Sequence, residues 1–271
     1  MTRVPVPAKI NLALLVGERR ADALHEVATV LQRIDICDRL ELVEAPALRV
    51  DGFPADTLVR AALTRLAEAA GVEPRWRVRI DKRIPVATGL GGGSADAAAA
   101  LRLANRTLAD PLPREQLAEI GSTIGADVAF FLEPGPKLAE GAGETLTALD
   151  LPQDFSVVIA LPRRARKAST REVYKRYDGA SGFAQRKAAL LDALDRCRRP
   201  RDFAAFPAND LAVAAGRLPL VDELVAAGAF RADVSGAGPA VYALFDHRAA
   251  ARAAARGVLP EAQVWVTAPV W

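Results

Sequence analysis

The sequence predicts a protein of the α+β class, and three observations lead to that prediction. The chain has 271 residues, 51% of them hydrophobic and 25% charged, which is typical of one large folded domain or two smaller ones. Segments with helical and with strand periodicity both occur, and they do not alternate strictly along the chain. A new apolar strand follows the loop at Asp150, which predicts an N-terminal lobe over residues 1–150 and a C-terminal lobe over residues 151–271.

The first half of the chain contains the clearest periodic elements. In the segment 75–80, apolar residues alternate with arginines, as in a strand with one buried face. The segment 56–70 has apolar residues at helical spacing, an aspartate cap at its start and a glycine just after its end. The predicted elements are a strand over 10–16, a strand or helix over 26–42, helices over 56–70, 94–108 and 114–124, and a strand over 75–80.

The second half mixes both kinds of element again, without an internal repeat or a low-complexity segment. Its predicted elements are strands over 156–161, 240–245 and 263–267, and helices over 170–177, 185–196, 219–227 and 247–257. The segment 234–239 is predicted to be a turn between two strands, with its glycines packed against the first strand or in contact with a ligand.

Composition and charge argue against several function classes. No apolar run approaches the roughly 18 residues of a membrane helix, and the first residues do not have the pattern of a secretory signal. Two cysteines, Cys37 and Cys197, cannot form a disulfide framework, so we expect a reducing, cytoplasmic location. The net charge is only +3, and the basic runs 163–167 and 196–199 lack interleaved aromatic residues, so we expect solvated surface and no nucleic-acid partner.

The most informative segment is residues 85–96, with the sequence PVATGLGGGSAD. Its glycines allow backbone N–H groups to approach a ligand, and the helix that follows adds unpaired N–H groups and the positive end of its dipole. The segment is not a Walker A loop, since no Gly-Lys-Ser/Thr follows, and it matches a dinucleotide fingerprint only loosely. A purely structural turn would not need four glycines, which lose much entropy on folding, so phosphate binding is favoured.

Two further segments place charged groups among apolar residues. Lys9 and Asn11 share one face of the first strand, opposite the apolar face, and are expected either at the surface, as is common for such a pair, or lining a site. Asp127 precedes five apolar residues and is expected to be buried, either as a helix cap or paired with a cation such as Lys9. A lysine and an aspartate beside a phosphate loop could stabilise a transferring phosphoryl group and orient the accepting hydroxyl.

Three ordered motifs resemble those of the superfamily of galactokinase, homoserine kinase, mevalonate kinase and phosphomevalonate kinase. They are residues 7–12, 85–95 and 234–239, with supporting similarity in residues 20–25, 125–128, 139–144, 169–174 and 209–211. These matches follow the family's order over nearly the whole chain. They are most similar to the branch whose substrate is 4-diphosphocytidyl-2-C-methyl-D-erythritol, in the non-mevalonate route to isoprenoid precursors.

The resemblance implies a ribosomal-protein-S5-like lobe followed by the superfamily's C-terminal α+β lobe, and transfer of the ATP γ-phosphoryl group to the 2-hydroxyl of that substrate with Mg²⁺ as cofactor. It implies Lys9 and Asp127 as the catalytic pair. Asn11 would help to position the substrate, His25 would hydrogen-bond the cytosine edge, and Tyr174 would stack on its ring. The implied ATP-binding residues are Pro85, Val86, Ala87, Thr88, Gly89, Leu90, Gly91, Gly92, Gly93, Ser94 and Ala95, with Ser94 also a candidate ligand of Mg²⁺.

Two positions depart from the family's motifs, and they keep alternatives open. Leu24 stands where the family has a tyrosine, and Ala95 stands where the loop has a second serine. Stacking of a base on an aromatic ring contributes about 1–3 kcal/mol, so Leu24 is compatible with a sibling kinase that acts on another small alcohol. A nicotinamide-dependent oxidoreductase is a further alternative, but it would need an acidic residue about 20 residues beyond the loop in a βαβ unit, which the sequence does not show. A nucleic-acid-binding protein is a third alternative, suggested only by the basic runs.

Overall fold

The computed structural model describes residues 2–163, 170–177, 181–214, 219–258, 260 and 262–271. The chain forms two compact units, each assembled from several stretches. The first unit comprises residues 1–8, 36–86 and 91–134, and the second comprises residues 9–35, 87–90 and 135–271. This division differs from the single boundary expected at Asp150, and the two-lobe division at that residue stays a prediction.

Two long strands, β1 (Thr2–Arg19) and β2 (His25–Glu44), pair with each other and contribute residues to both units. The sequence pattern predicts only residues 10–16 of β1, and it does not decide between strand and helix for the segment 26–42, which is a strand. Residues 8–17 are all buried, so both faces of the strand are covered. Because a strand covered on both faces has no alternation of polar and apolar residues, the pattern does not show where β1 begins or ends. The surface interpretation of Lys9 and Asn11 is therefore wrong, since each is only 4% exposed.

The first unit packs helices beside a small group of strands. Its elements are β3 (Arg49–Asp51), α1 (Leu58–Ala70), β4 (Trp76–Asp81), α2 (Gly92–Asn105), α3 (Arg114–Ile124) and α4 (Ala126–Leu132). Strand β4 pairs antiparallel with the second half of β2 and parallel with β3. The α1 helix begins where the Asp56 carboxylate accepts hydrogen bonds from the backbone N–H groups of Val59 and Arg60, at 3.1 and 3.2 Å. Asp56 therefore satisfies the first N–H groups from one residue before the N-cap, Thr57. The helix ends at Gly71, which has a φ of 66°, so the predicted stop is confirmed.

The second unit contains a four-stranded antiparallel sheet and the first half of β2. Its elements are β5 (Lys137–Gly141), β6 (Thr145–Ala148), β7 (Ser156–Pro162), α5 (Thr170–Arg176), α6 (Phe183–Arg196), a 3-10 helix (Pro200–Ala205), α7 (Leu211–Ala214), α8 (Pro219–Ala226), β8 (Arg231–Val234), β9 (Val241–Phe245), α9 (Arg248–Val258), β10 (Ala262–Thr267) and β11 (Pro269–Val270). The sheet order is β10-β7-β9-β8, and α8 and α9 pack against it to bury an apolar core. Separately, β5 pairs with β2 and with β6, and β11 also pairs with β2.

The strands and helices predicted for the second half are confirmed with shifts of one or two residues at their ends, and β8 is the strand expected before the turn at 234–239. The elements β5, β6, α7, β11 and the 3-10 helix were not predicted. In the part of the chain that the structure describes, no helix is long and apolar enough to cross a membrane. The basic run 163–167 lies, from residue 164 onward, outside the described residues. In the run 196–199 the three arginines are exposed and Cys197 is buried.

Candidate active site

The glycine-rich loop leads from β4 to α2, and its backbone explains two of its glycines. Gly89 has a φ of 87° and Gly91 has a φ of 73°, both in the left-handed region that favours glycine. Helix α2 begins at Gly92, two residues before the predicted start at Ser94. Its first helical N–H bond, from Ala95 to the Gly91 carbonyl at 2.9 Å, leaves the preceding N–H groups of residues 92–94 for a ligand.

Residues 87–90 lie against the turn formed by residues 235–240. A Cβ atom on Gly89 would come within 1.9 Å of the Ser235 carbonyl oxygen, so only glycine fits this contact. The Ser235 hydroxyl donates to the Gly89 carbonyl at 3.0 Å, and the Ala240 N–H donates to the Thr88 carbonyl at 3.0 Å. The predicted strand–turn–strand is confirmed, and its turn shapes the middle of the loop.

Only Thr88 and Ser94 of the predicted ATP-binding residues carry a polar side chain, and that of Thr88 is buried. The side chains of Thr88, Leu90 and Ala95 are buried, at 5%, 1% and 1% exposure. Val86 is 46% exposed, and the remaining loop residues are intermediate or exposed. The chemistry of the loop therefore comes from its peptide groups, as expected for a site that binds phosphate oxygens.

Lys9 and Asn11 lie beside this stretch of the loop, joined by a chain of hydrogen bonds. The Lys9 ammonium donates to Asn11 Oδ1 at 2.6 Å, and the Asn11 amide donates to Thr29 Oγ1 at 2.8 Å. The Thr29 hydroxyl in turn donates to the Ala13 carbonyl at 2.7 Å. The backbone N–H of Lys9 donates to the Leu90 carbonyl at 2.9 Å. The structure thus brings Lys9, Asn11 and residues 87–90 together within the second unit.

Asp127 belongs to the first unit, where it is the second residue of α4. The expectation that it is buried is wrong, because its side chain is only partly covered while residues 128–131 are buried. At the first turn of a helix, a carboxylate is stabilised by the unpaired N–H groups and the dipole. The pairing of Asp127 with Lys9 stays a prediction.

Sequence reasoning missed a buried charge cluster next to the start of α2. The Lys82 ammonium donates to the Asp96 carboxylate at 2.8 Å and to that of Asp38. Asp38 also accepts the backbone N–H groups of Arg83 and Ile84, at 2.5 and 2.8 Å, where the loop begins. The one available signal was an aspartate among the alanines of α2, a position where a carboxylate must be buried.

Two features of this charge cluster are the space that Gly92 leaves for Lys82 and the raised pKa of Asp96. A Cβ atom on Gly92 would lie 3.1 Å from the Lys82 Nζ atom, so the missing side chain makes room for the ammonium. Burial, together with the nearby Asp38 charge and against the attraction of Lys82, raises the pKa of Asp96 to about 7. Its Oδ1 atom is buried and has no hydrogen-bond partner among the described residues, which is consistent with a carboxyl group that holds a proton readily.

Ser94 is the third residue of α2 and is partly buried. Its hydroxyl is an oxygen ligand of the kind Mg²⁺ takes, and Mg²⁺ commonly binds through nucleotide phosphates while it keeps several waters. Among the described residues no group of three or more His, Cys, Asp or Glu could hold a metal ion. A magnesium ion at Ser94 would therefore depend on the phosphate oxygens of a nucleotide for further ligands.

The predicted substrate-binding residues His25 and Tyr174 lie together, also within the second unit. Their ring centroids are 5.5 Å apart, and Tyr177 packs against His25 at 6.2 Å. The His25 Nδ1 atom lies 3.0 Å from the Gly17 carbonyl oxygen. Because a carbonyl only accepts hydrogen bonds, Nδ1 carries the proton and Nε2 of the neutral ring is left as an acceptor. Leu24 precedes His25 and is 55% exposed.

The fold and the loop together define a class of small-molecule kinases. The chain matches the GHMP kinases N terminal domain over residues 57–135 and the GHMP kinases C terminal domain over residues 219–262. It shares its fold with a homoserine kinase from Cytophaga hutchinsonii, with 17% identity and a TM-score of 0.77 over 98% of this chain and 94% of that one. The predicted α+β fold class and the enzyme class, an ATP-dependent kinase, are confirmed.

More similar proteins narrow the assignment within that class. The 4-diphosphocytidyl-2-C-methyl-D-erythritol kinase of Geobacter sulfurreducens is 39% identical over 97% of this chain and 96% of its own. That of Salinibacter ruber is 39% identical over 94% and 93%. A crystal structure of 4-(cytidine 5'-diphospho)-2C-methyl-D-erythritol kinase, 30% identical, has a TM-score of 0.82 over 100% of both chains. The chain belongs to the family of the 4-diphosphocytidyl-2-C-methyl-D-erythritol kinases.

Proposed function

We propose that this protein transfers the γ-phosphoryl group of ATP to the 2-hydroxyl of 4-diphosphocytidyl-2-C-methyl-D-erythritol. The observation that carries the proposal lies in the second unit. There, a buried lysine beside residues 87–90 occurs together with a His25–Tyr174 pair suited to a cytosine base. The names of relatives that are 39% identical over nearly the whole chain support the same substrate.

The triphosphate of ATP would bind along residues 85–95. The N–H groups at the start of α2 and the positive end of its dipole attract an anion there. Mg²⁺, with the Ser94 hydroxyl as its candidate protein ligand, would neutralise part of the phosphate charge. Because most of the loop's donors are peptide groups, this mode of binding depends on the backbone conformation that the glycines permit.

Phosphoryl transfer would use Lys9 and Asp127. The Lys9 ammonium has three N–H donors, and the one bonded to Asn11 Oδ1 orients the group, which would donate to a phosphoryl oxygen of the nucleotide. Asp127 would accept a hydrogen bond from the 2-hydroxyl and hold it in line with the γ-phosphorus. In a loose transition state the hydroxyl loses its proton late, so orientation by the carboxylate contributes more than its basicity.

His25 and Tyr174 would select the cytidine part of the substrate. The exocyclic amine of cytosine is a donor, and it complements the Nε2 acceptor that the Gly17 contact leaves on His25. The corresponding oxygen of uracil is an acceptor and would face that nitrogen lone pair unfavourably. The exposed Leu24 favours one alternative, a sibling kinase that phosphorylates another small alcohol, because an aromatic partner for the base is absent there.

Phosphorus NMR of the reaction products tests this function. We expect a new phosphomonoester signal from ATP, Mg²⁺ and the diphosphocytidyl substrate, with the diphosphate bridge unchanged, and no signal from the Lys9→Met variant. Homoserine and mevalonate should not react. Turnover of one of those alcohols without turnover of the cytidyl substrate would support the sibling kinase instead.

We also infer that the protein acts on this free small molecule in the cytoplasm and not on nucleic acid. The chain has two cysteines, too few for a disulfide framework, which fits a reducing compartment. Cell fractionation and a filter-binding assay with RNA check the two inferences. Salt-sensitive RNA binding without ATP turnover would contradict the second of them.

A further inference from the structure

Residues 209–210, just before α7, are not used by the proposed reaction, yet their side chains bond the two segments that contact the site in the second unit, the turn at 234–236 and β1 at Val16. We propose that Asn209 and Asp210 are positioning residues with separate tasks. Asn209 fixes the turn that shapes residues 87–90, and Asp210 fixes the segment that orients His25. The proposal rests on the function proposed above and adds two residues through which the site is held in place.

Asn209 uses its side chain to hold the turn from two directions. The residue is 3% exposed, and its Nδ2 atom donates to the carbonyl oxygens of Val234 and Gly236, at 2.9 and 2.7 Å. Its Oδ1 atom accepts the N–H of Leu211 at 2.9 Å, and its backbone N–H donates to the Asp233 carboxylate at 2.8 Å. Both N–H groups of the side-chain amide therefore donate to residues 234–236. The Oδ1 bond to Leu211 and the backbone bond to Asp233 in turn hold Asn209 itself in place.

The turn that Asn209 holds is the one that touches the site. A Cβ atom on Gly236 would lie 3.4 Å from Asn11 Oδ1 and 3.4 Å from the Cα atom of Gly89. The adjacent Ser235 contacts Gly89 through both its hydroxyl and its carbonyl oxygen. A shift of this turn would therefore move Gly89 and Asn11, the acceptor that orients the Lys9 ammonium. A displacement of about 1 Å in such positions can lower turnover roughly 100-fold.

Asp210 holds the other part of the site through β1. Its Oδ2 atom accepts the Val16 N–H at 2.8 Å and the Arg186 guanidinium at 2.9 Å. Its own backbone N–H donates to the Leu14 carbonyl at 2.9 Å. The Tyr177 hydroxyl donates to the Val16 carbonyl at 2.8 Å. One carboxylate thus fixes the end of β1, an arginine and, through Val16, a tyrosine.

These groups determine the orientation of His25. Gly17, which follows Val16, provides the carbonyl that binds His25 Nδ1, and the Tyr177 ring packs against the imidazole. A Cβ atom on Gly17 would lie 3.1 Å from the Cβ atom of Glu26, so β1 runs close to the strand that carries His25. If Asp210 no longer held Val16, the Gly17 carbonyl and the Tyr177 ring would both be free to move, and the His25 acceptor would turn away from the base.

The test is a comparison of kinetic constants between Asn209→Ala and Asp210→Asn in the full chain. For Asn209→Ala we expect kcat to fall about 30-fold or more and the KM for ATP to rise, with the KM for the cytidyl substrate within about twofold of wild type. For Asp210→Asn we expect the other KM to change: the KM for the cytidyl substrate should rise about 10-fold, and the KM for ATP should stay the same. Tyr177→Phe, which removes one hydroxyl, should change the same constant as Asp210→Asn by a smaller factor.

Asn105→Ala is a matched control, because Asn105 is also a buried amide that fixes a loop. It exchanges hydrogen bonds of 2.9 and 2.8 Å with the backbone of Leu112, at the far end of α2. We expect it to lower the melting temperature as much as Asn209→Ala does, with turnover unchanged at temperatures where both are folded. Equal kinetic effects of Asn209→Ala and Asn105→Ala, or an Asp210→Asn variant that changes the two KM values alike, would overturn the proposal.

Calorimetric titrations separate this proposal from the proposed function. Asn209→Ala should weaken the binding of a non-hydrolysable ATP analogue, and Asp210→Asn should weaken the binding of cytidine diphosphate. If wild type binds both nucleotides but does not phosphorylate the cytidyl substrate, the proposed function fails and the two affinities still decide the positioning roles. If each variant binds both nucleotides as tightly as wild type does, the positioning roles are wrong even where the kinase activity is confirmed.

Discussion

The two parts of the candidate site in the second unit are built differently. Residues 87–90 are held by backbone contacts that leave no room for a side chain. A Cβ atom added to Gly89 would lie only 1.9 Å from the Ser235 carbonyl oxygen. The part around His25 is held by side chains that remain partly exposed, and Leu24 is 55% exposed. Changes in the first part should therefore affect folding and turnover together, whereas changes in the second should affect substrate affinity alone.

The largest effect is expected from the two residues assigned to the chemical step. Lys9→Met and Asp127→Asn should each lower kcat by about 1000-fold, because charge compensation and hydroxyl orientation act on the transition state. Binding of the ATP analogue, measured by calorimetry, should stay within a few-fold of wild type. Lys187→Met, which removes a partly exposed ion pair with Glu140, is the control and should keep its turnover. Near-normal turnover in either site variant would remove that residue from the proposed step.

The next effect tests the claim that backbone contacts shape the loop. Gly89→Ala should lower the free energy of unfolding by roughly 3 kcal/mol or more, since the new Cβ adds a collision to the cost of a positive φ. It should also raise the KM for ATP. Gly228→Ala is the matched control in the same unit, with a φ of 97° and, in the described part of the chain, no atom within 4 Å of the added Cβ.

For Gly228→Ala we expect a loss of only about 1 kcal/mol and normal kinetics. Denaturant unfolding and steady-state kinetics of both variants give the comparison. Equal destabilisation by the two substitutions would mean that residues 235–240 yield to the new side chain, and the loop would then not be shaped by this contact.

A smaller, pH-dependent effect is expected from Asp96. Its pKa of about 7 in the folded chain exceeds the ordinary value of 3.8, so between about pH 4 and 7 the folded state holds a proton that the unfolded state has lost. Stability from this group is fully present below that range and is lost as the pH rises towards 7, by up to roughly 1 kcal/mol per pH unit. Asp96→Asn should abolish this decline, and unfolding curves at several pH values measure it. Parallel pH profiles for the variant and wild type would contradict the raised pKa.

The sequence allowed prediction of those features that depend on neighbours in the chain. The cap and stop of α1, the alternation in β4 and the phosphate loop all follow from residues within one segment. The contacts that hold the site join residues far apart, as Val16 and Asp210 do across 194 positions and Lys82 and Asp38 do across 44. No periodicity links such residues, which is why the Lys82 cluster was missed. The strand pattern alone could not decide between a surface and a site position for Lys9 and Asn11 for a related reason, since covering both faces of β1 requires elements from elsewhere in the chain.

The smallest effect concerns the exposed Leu24 and tests whether the His25 part can change without the loop. Leu24→Tyr should lower the KM for the cytidyl substrate about 10-fold, because an aromatic ring could stack on the base where a leucine only covers it. The KM for ATP, kcat and the melting temperature should not change, since the side chain is 55% exposed and fixes no backbone. Val225→Tyr, at a 50% exposed position on α8, is the control for a general effect of an added tyrosine. An unchanged KM for the cytidyl substrate would mean that the base does not lie beside residue 24. The KM values for the cytidine and uridine substrates, measured in wild type and in His25→Ala, would then show whether the base is recognised at His25.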